Sequence, residues 1–257
     1  TGNVSAGTSV FAMLVLERPL SRAYPEVDMV TTPAGDPVAM VHCNNCTSDI
    51  DAWIRLFGEA AAALGARFDE RTLYQTLYKK ALEGAPDGGG LLSFNYLSGE
   101  PVTGLDEGRP LFVRKPDAAF SLANVMRVNV TSACASLRIG MNILSAERVA
   151  LDAMTGHGGF FKAGEIGQKI MSAALGTPVT VMETASEGGP WGMAILAAYA
   201  QNRTEGETLA GYLQNRVFCG AKSSTLSATE AEAAGFKAYM ENYENCLAVE
   251  RAAVQSF

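Results

Sequence analysis

Four short stretches hold the residue types that chemistry uses. The first is T-G-N-V-S-A-G-T-S, residues 1–9. Glycine lets a backbone approach a ligand closely, and the hydroxyls of Thr8 and Ser9 can donate to phosphate oxygens. Taken alone, a plain β-turn is the simpler account. The second is T-G-H-G-G, residues 155–159, between an apolar run and a helical pattern. A helix start presents free N–H groups and partial positive charge, which suits an anion or a nucleotide. A tight strand-to-helix turn explains the same residues equally well. The third is E-G-G-P-W-G, residues 187–192, where Pro190 suits a first helical turn. Gly192, Ala194, Ala197 and Ala198 would let that helix pack closely on a neighbour. The fourth is L-L-S-F-N-Y-L-S-G-E, residues 91–100, a strand pattern leading into an irregular loop.

Several familiar chemistries are missing. A G-x-G-x-x-G dinucleotide turn would need glycine where Phe161 stands, and no G-x-x-x-x-G-K-[ST] phosphate loop occurs. No G-x-S-x-G elbow supports a serine hydrolase. Cys43 and Cys46 form a C-x-x-C, the usual first half of a zinc site. No second C-x-x-C or histidine pair follows, and the only histidines are His42 and His157. Two thiols near a strand end are the simpler reading, and no metal ligand is assigned. His157 lacks an acidic partner at useful spacing, which points to a turn or ligand-stacking role rather than acid–base work.

The elements that must position these residues follow from periodicity. Residues 9–16 are a continuous apolar run and predict a buried strand. Residues 27–32 and 37–42, with P-A-G-D between them, predict a hairpin. Helical spacing then runs from a Ser48-Asp49 cap to Gly65, and again over residues 69–83. A strand is expected over 91–97, an irregular segment over 98–116, and one long helix over 118–144. A strand at 149–154 meets the T-G-H-G-G turn, and the helix after it ends at Gly176. A strand at 179–182, a helix to about residue 202 and a tail helix over 228–254 complete the chain. The order predicts an α/β domain with mixed strand directions.

Composition agrees with a folded chain: 257 residues, 48% hydrophobic and 18% charged. The net charge of −7, without any Lys or Arg run, argues against nucleic acid and anionic membranes. The five cysteines, an odd number, predict reduced thiols. No signal peptide, transit peptide or membrane-spanning stretch is seen, and the cytoplasm is the expected location. The start at Thr1, inside a Gly-rich run, predicts an excised domain.

Together these segments resemble the FGGY carbohydrate kinases. A-G-T-S (6–9) is similar to the family's phosphate-contacting hairpin. G-L-L-S-F-N-Y-L-S-G-E (90–100) is similar to its G-L-x-F-x-P-Y-L-x-G-E-R signature. T-G-H-G-G and E-G-G-P-W-G-M-A-I-L-A-A resemble its adenosine turn and its closing helix. Asn95 stands in place of the usual Pro, Pro101 in place of Arg, and His157 interrupts the Gly run. V-H-C-N-N-C-T-S-D-I (41–50) brings the chain nearest to ribulokinase- and xylulokinase-like members. The resemblance implies an actin-like ATPase, ribonuclease H-like α/β fold with a mixed sheet and flanking helices. Residues 1–257 would form the C-terminal nucleotide-binding lobe, with the N-terminal sugar-binding lobe lying outside this chain.

The implied reaction moves the ATP γ-phosphoryl group to a sugar hydroxyl, with Mg2+, a ketopentose such as ribulose or xylulose being expected. Gly7, Thr8 and Ser9 would meet the β- and γ-phosphates. Gly156, Gly158 and Gly159, with His157 among them, would flank the α-phosphate and adenosine. Asn45 and Ser48 would lie on the ribose or phosphate side. The family's catalytic Asp would precede Thr1, so no catalytic residue is assigned and this chain alone is expected to be inactive. The alternative is a non-catalytic, actin-like sugar- or nucleotide-binding module; a metal or redox protein using Cys43 and Cys46 is a distant third. The tail from residue 228 offers a surface for a homodimer.

Overall fold

Along β1 (Gly2–Ala6) and β2 (Val10–Val15), buried and half-buried residues alternate, as period-2 strands require. Both belong to a computed structural model that describes residues 2–183 and 188–257. Next come β3 (Val27–Thr31), β4 (Pro37–Cys43), α1 (Ser48–Ala63), α2 (Glu70–Ala81), β5 (Leu91–Phe94) and β6 (Leu111–Arg114). They are followed by α3 (Leu122–Ser132), α4 (Ala135–Ala146), β7 (Met154–His157), α5 (Glu165–Leu175) and β8 (Val179–Met182). The chain ends with α6 (Gly188–Asn202), α7 (Leu209–Tyr212), β9 (Ser223–Leu226) and α8 (Glu230–Ser256). Seven strands form one mixed sheet in the order β3-β4-β2-β1-β7-β8-β9, while β5 and β6 pair separately. β1 is antiparallel to β2 and parallel to β7, which fixes Gly2 opposite Met154 and Ser5 opposite His157.

α4 and α5 rest on one face of this sheet, and α6 lies beside the other, near Asn3 and His157. Gly140 brings α4 so near the sheet that a Cβ would come 2.3 Å from a Val41 methyl. Gln168 of α5 donates to the Val179 and Ser224 carbonyls, 3.0 Å each, and ties the helix to β8 and β9. Asp69 caps α2 through the Thr72 N–H at 2.8 Å, and Thr229 with Glu232 forms a capping box for α8. Among the described residues no helix is long and apolar enough to cross a membrane.

Four expectations change. The single helix over 118–144 is two, broken at Ala133 and Cys134. Thr131 and Ser132 turn their hydroxyls back onto the Arg127 and Asn129 carbonyls, competing with helix continuation at that point. The strand expected at 149–154 lies at Met154–His157. Val149 donates back to Leu144 and closes α4, so the following residues serve as approach and the ladder with β1 sets the register. α6 has no close-packed neighbour at Gly192: a Cβ there would touch nothing within 4 Å. The apolar side of α8 is already used inside the chain, with Phe236, Tyr239, Met240 and Tyr243 buried and Tyr243 stacked on Phe94 at 4.5 Å. Thr1 and Glu187, parts of two motifs, lie outside the described residues.

Candidate functional site

The turn at residues 7–9 joins β1 to β2, with the Gly7 N–H donating to the Ser9 carbonyl at 2.8 Å. Its carbonyls are held from the other side. Cys46 N–H donates to Thr8 O at 2.9 Å, and Thr47 donates to Gly7 O twice, from N at 3.0 Å and from Oγ1 at 2.9 Å. In a trans peptide, C=O and the next N–H point in opposite directions. Anchoring the Gly7 and Thr8 carbonyls inward therefore aims the Thr8 and Ser9 N–H groups outward. Among the described residues neither has a hydrogen-bond partner, and Thr8 is exposed. Two adjacent outward donors have the geometry that an anion can use. Thr47 explains a departure from expectation too: it precedes α1 in the cap position, but its hydroxyl serves the turn instead of capping the helix.

Thr47 and Gly159 both line a cleft of about 1170 Å³ between α1, α2 and the segment 159–165. Asp51 lies on the α1 side, Arg71, Tyr74, Tyr78 and Lys79 on α2, and Lys162 with Glu165 on the third wall. Burial, then the neighbouring Asp51, pushes the Tyr74 phenol up, and burial does so more strongly at Tyr78. Among the described residues Arg71, Lys79 and Lys162 form no ion pair. The cleft thus joins aromatic surface to three cations and three carboxylates, Asp51, Glu70 and Glu165.

The glycines divide into two kinds. A Cβ at Gly158 would come 2.3 Å from Ala6 O, with φ at +104°, and one at Gly156 would come 2.5 Å from the Phe161 ring. The chain's own packing demands both. Gly7 and Gly159 have nothing within 4 Å and need no positive φ, so each leaves space for an approaching molecule.

Among the expected site residues, the turn 7–9, Gly158 and Gly159 come together around Ala6 and Thr47, with Ser48 next to Thr47 as the first residue of α1. His157 and Gly156 do not sit in the turn. Both belong to β7, and with Trp191, Ile195 and Phe218 they line a separate apolar cavity of about 520 Å³ beside α6. Burial lowers the His157 pKa. Asn45 is buried with its amide fully engaged: Oδ1 accepts from Leu97 N at 3.0 Å and Ser98 N at 3.1 Å, and Nδ2 donates to Ser98 O at 3.1 Å. It braces the loop instead of facing the cleft. Cys43 and Cys46 are buried free thiols whose pKa burial pushes up, the opposite of a reactive pair. Among the described residues no three His, Cys, Asp or Glu converge as a metal site.

The α2 wall escaped the sequence reading. Its signal was present, since Arg71, Tyr74, Gln75, Tyr78 and Leu82 recur at helical spacing as a second face beside the packed one.

Comparison with known proteins agrees with this architecture. The model for "FGGY family of carbohydrate kinases, C-terminal domain" matches residues 2–201. No curated protein matches the chain significantly. Among solved structures, a xylulose kinase from Rhodospirillum rubrum superposes with a TM-score of 0.71 at 13% identity, over 96% of this chain and 46% of that one. A xylulose kinase from Bifidobacterium adolescentis gives 0.63 at 22% identity, covering 94% and 43%. Plasmodium falciparum glycerol kinase with ADP gives 0.69 at 11% identity, covering 95% and 46%. The chain therefore spans less than half the length of each of these structures. With the turn, the strand order and the family match all in agreement, this chain belongs to the FGGY family of carbohydrate kinases, as its C-terminal domain.

Proposed function

We propose that this chain is the ATP-binding lobe of a kinase that transfers the γ-phosphoryl group of ATP to a sugar hydroxyl. The observation that carries the reading is the outward pair of N–H groups at Thr8 and Ser9, on a turn held by Thr47, which itself lines the cleft. Phosphates would meet these donors, and the nucleoside would lie against Tyr74 and Tyr78. The open positions Gly7 and Gly159 admit that approach. Arg71, Lys79 and Lys162 supply compensating charge. Mg2+ in such sites is held largely by phosphates and water, which suits a cleft where, among the described residues, no three carboxylates converge. Phosphoryl transfer depends on positioning and electrostatics more than on protein covalent chemistry. What these residues do is hold and orient the donor.

The acceptor and its base would come from an N-terminal lobe in the same parent protein. α6 supports that reading: its 15 residues carry no charge, and none is buried, with Met193 68% exposed. A helix apolar all round is ordinarily covered. A ketopentose is the proposed acceptor, xylulose being the sugar named for two of the similar structures.

Gly159→Val tests the site. The side chain finds no neighbour within the fold, so stability should stay within about 0.5 kcal/mol. It narrows the cleft mouth, so ATP affinity, read by calorimetry, should fall about tenfold or more. Unchanged ATP binding in a folded variant would sink the assignment of this cleft.

A further inference from the structure

We infer that Glu100 is a positioning residue for the anion-facing turn, holding it through the loop at residues 44–47. The inference rests on the nucleotide reading above for its ligand, and on hydrogen-bond geometry for its mechanism.

Glu100 is fully buried. Its oxygens accept from nitrogen donors of the loop packed against it, Asn44 N at 3.3 Å, Asn45 N at 3.3 Å and Asn45 Nδ2 at 3.2 Å, with the Val102 N–H also directed at it. Among the described residues no cation pairs with it. A buried carboxylate without a counter-ion is unfavourable unless its hydrogen bonds are needed. Burial does push its pKa up, and the Asn45 amide with the two backbone N–H groups opposes that rise. Cys43, Cys46 and Tyr96 are the titratable groups nearest it, all held neutral by burial.

The loop so gathered has a second side. Asn44 Nδ2 donates to Gly99 O at 2.8 Å, and Asn95 Nδ2 donates to Cys46 O at 3.0 Å, so the 95–100 segment grips residues 44–46 at three successive points. From the far edge, Cys46 and Thr47 hold the Gly7 and Thr8 carbonyls. Bonds therefore run without a break from the Glu100 carboxylate to the two peptides whose N–H groups face outward. Glu100 touches no ligand in this scheme. It sets the direction of donors that do.

Glu100→Gln replaces one acceptor oxygen by an NH2 group facing existing N–H donors, at nearly constant volume. Calorimetric titration of this chain with ATP and with adenosine should show ATP weakened about tenfold or more, with adenosine within about twofold of wild type, because only the phosphate end depends on the turn. Thr47→Val removes the Oγ1 bond to Gly7 O at the other end of the relay, leaving the backbone bonds, and should give the same split in smaller measure. The double variant should be no weaker than the worse single, since both act on one chain of bonds. Equal losses for ATP and adenosine, additive effects, or unaltered ATP binding in a folded Glu100→Gln would overturn the inference. Should Glu100→Gln fail to fold, Glu100→Asp, which keeps the charge but shortens the reach, takes its place with the same expected split.

Amide exchange separates this inference from the nucleotide reading. Without any ligand, the Cys46 and Thr47 N–H groups should exchange about tenfold faster or more in Glu100→Gln, while the β1–β2 ladder is unchanged. Unaltered exchange at those two amides rejects the relay. Faster exchange in Glu100→Gln, together with a wild-type chain that binds no ATP, would retain the relay and reject the ligand.

Discussion

His157 belongs to a different part of the molecule from the turn it adjoins in sequence. Its ring is wedged between β7 and the start of α6, where a Cβ on Gly188 would come 2.3 Å from Nδ1. Burial there holds its pKa below the ordinary histidine value. The sign of the stability effect follows. Just below the ordinary value the unfolded chain binds the proton and the folded chain does not. Stability is therefore fully present above that value and is lost as pH falls through the window beneath it. Thermal melts from about pH 8 to about pH 5 should show wild type losing stability more steeply than His157→Gln. Parallel curves would mean that the ring is not desolvated. The open and filled glycines differ at single-residue scale: the chain's own packing requires Gly156 and Gly158, whereas a Cβ at Gly7 or Gly159 would meet nothing within 4 Å.

At the scale of elements, the strands readable from sequence were those whose apolar residues run together, β2, β3, β4, β5 and β8, whereas β6 fell inside a segment read as irregular. β1 was hidden because G-N-V-S-A reads as a turn: only Val4 and Ala6 face the core, and Ser5 and Asn3 serve the other side. β9 was hidden because an edge strand reading S-S-T-L has no apolar period. Its pairing comes from β8, including a Thr180–Thr225 hydroxyl contact at 2.8 Å. The turn at 7–9 was legible because Gly, Thr and Ser favour a tight turn into a buried strand. The role of Thr47 was not, because its partner lies 40 positions away. The contact of β1 with the residue after β7 is where an element-scale prediction belongs. Gly158→Ala places a methyl against backbone at Ala6 and asks a strained φ of alanine. It should lower stability by roughly 1–3 kcal/mol, read by urea unfolding, whereas Gly7→Ala should stay within about 0.5 kcal/mol. Equal losses would show that the junction relaxes freely and does not hold the turn in place.

At the scale of the whole molecule, the proposed reading gives this chain the phosphoryl donor. In it the turn offers two N–H groups, the cleft offers aromatic surface and cations set among carboxylates, and Glu100 steadies the turn. The acceptor and its base are assigned to the second lobe. Bringing donor and acceptor together is worth effective concentrations on the order of 10⁵–10⁸ M in well-oriented reactions, so a lobe that orients one reactant forfeits most of that gain. On the proposed reading, this chain alone should release ADP from ATP at the uncatalysed background with xylulose, ribulose, gluconate or glycerol present. The parent chain, with its second lobe against the uncharged α6, should turn over at least one of them. A coupled ADP-release assay on the two proteins decides the matter. Turnover by the lone chain equal to the parent's would place the acceptor site within these 257 residues and overturn the two-lobe division. A parent inactive with every sugar would leave a nucleotide-binding module instead of a kinase.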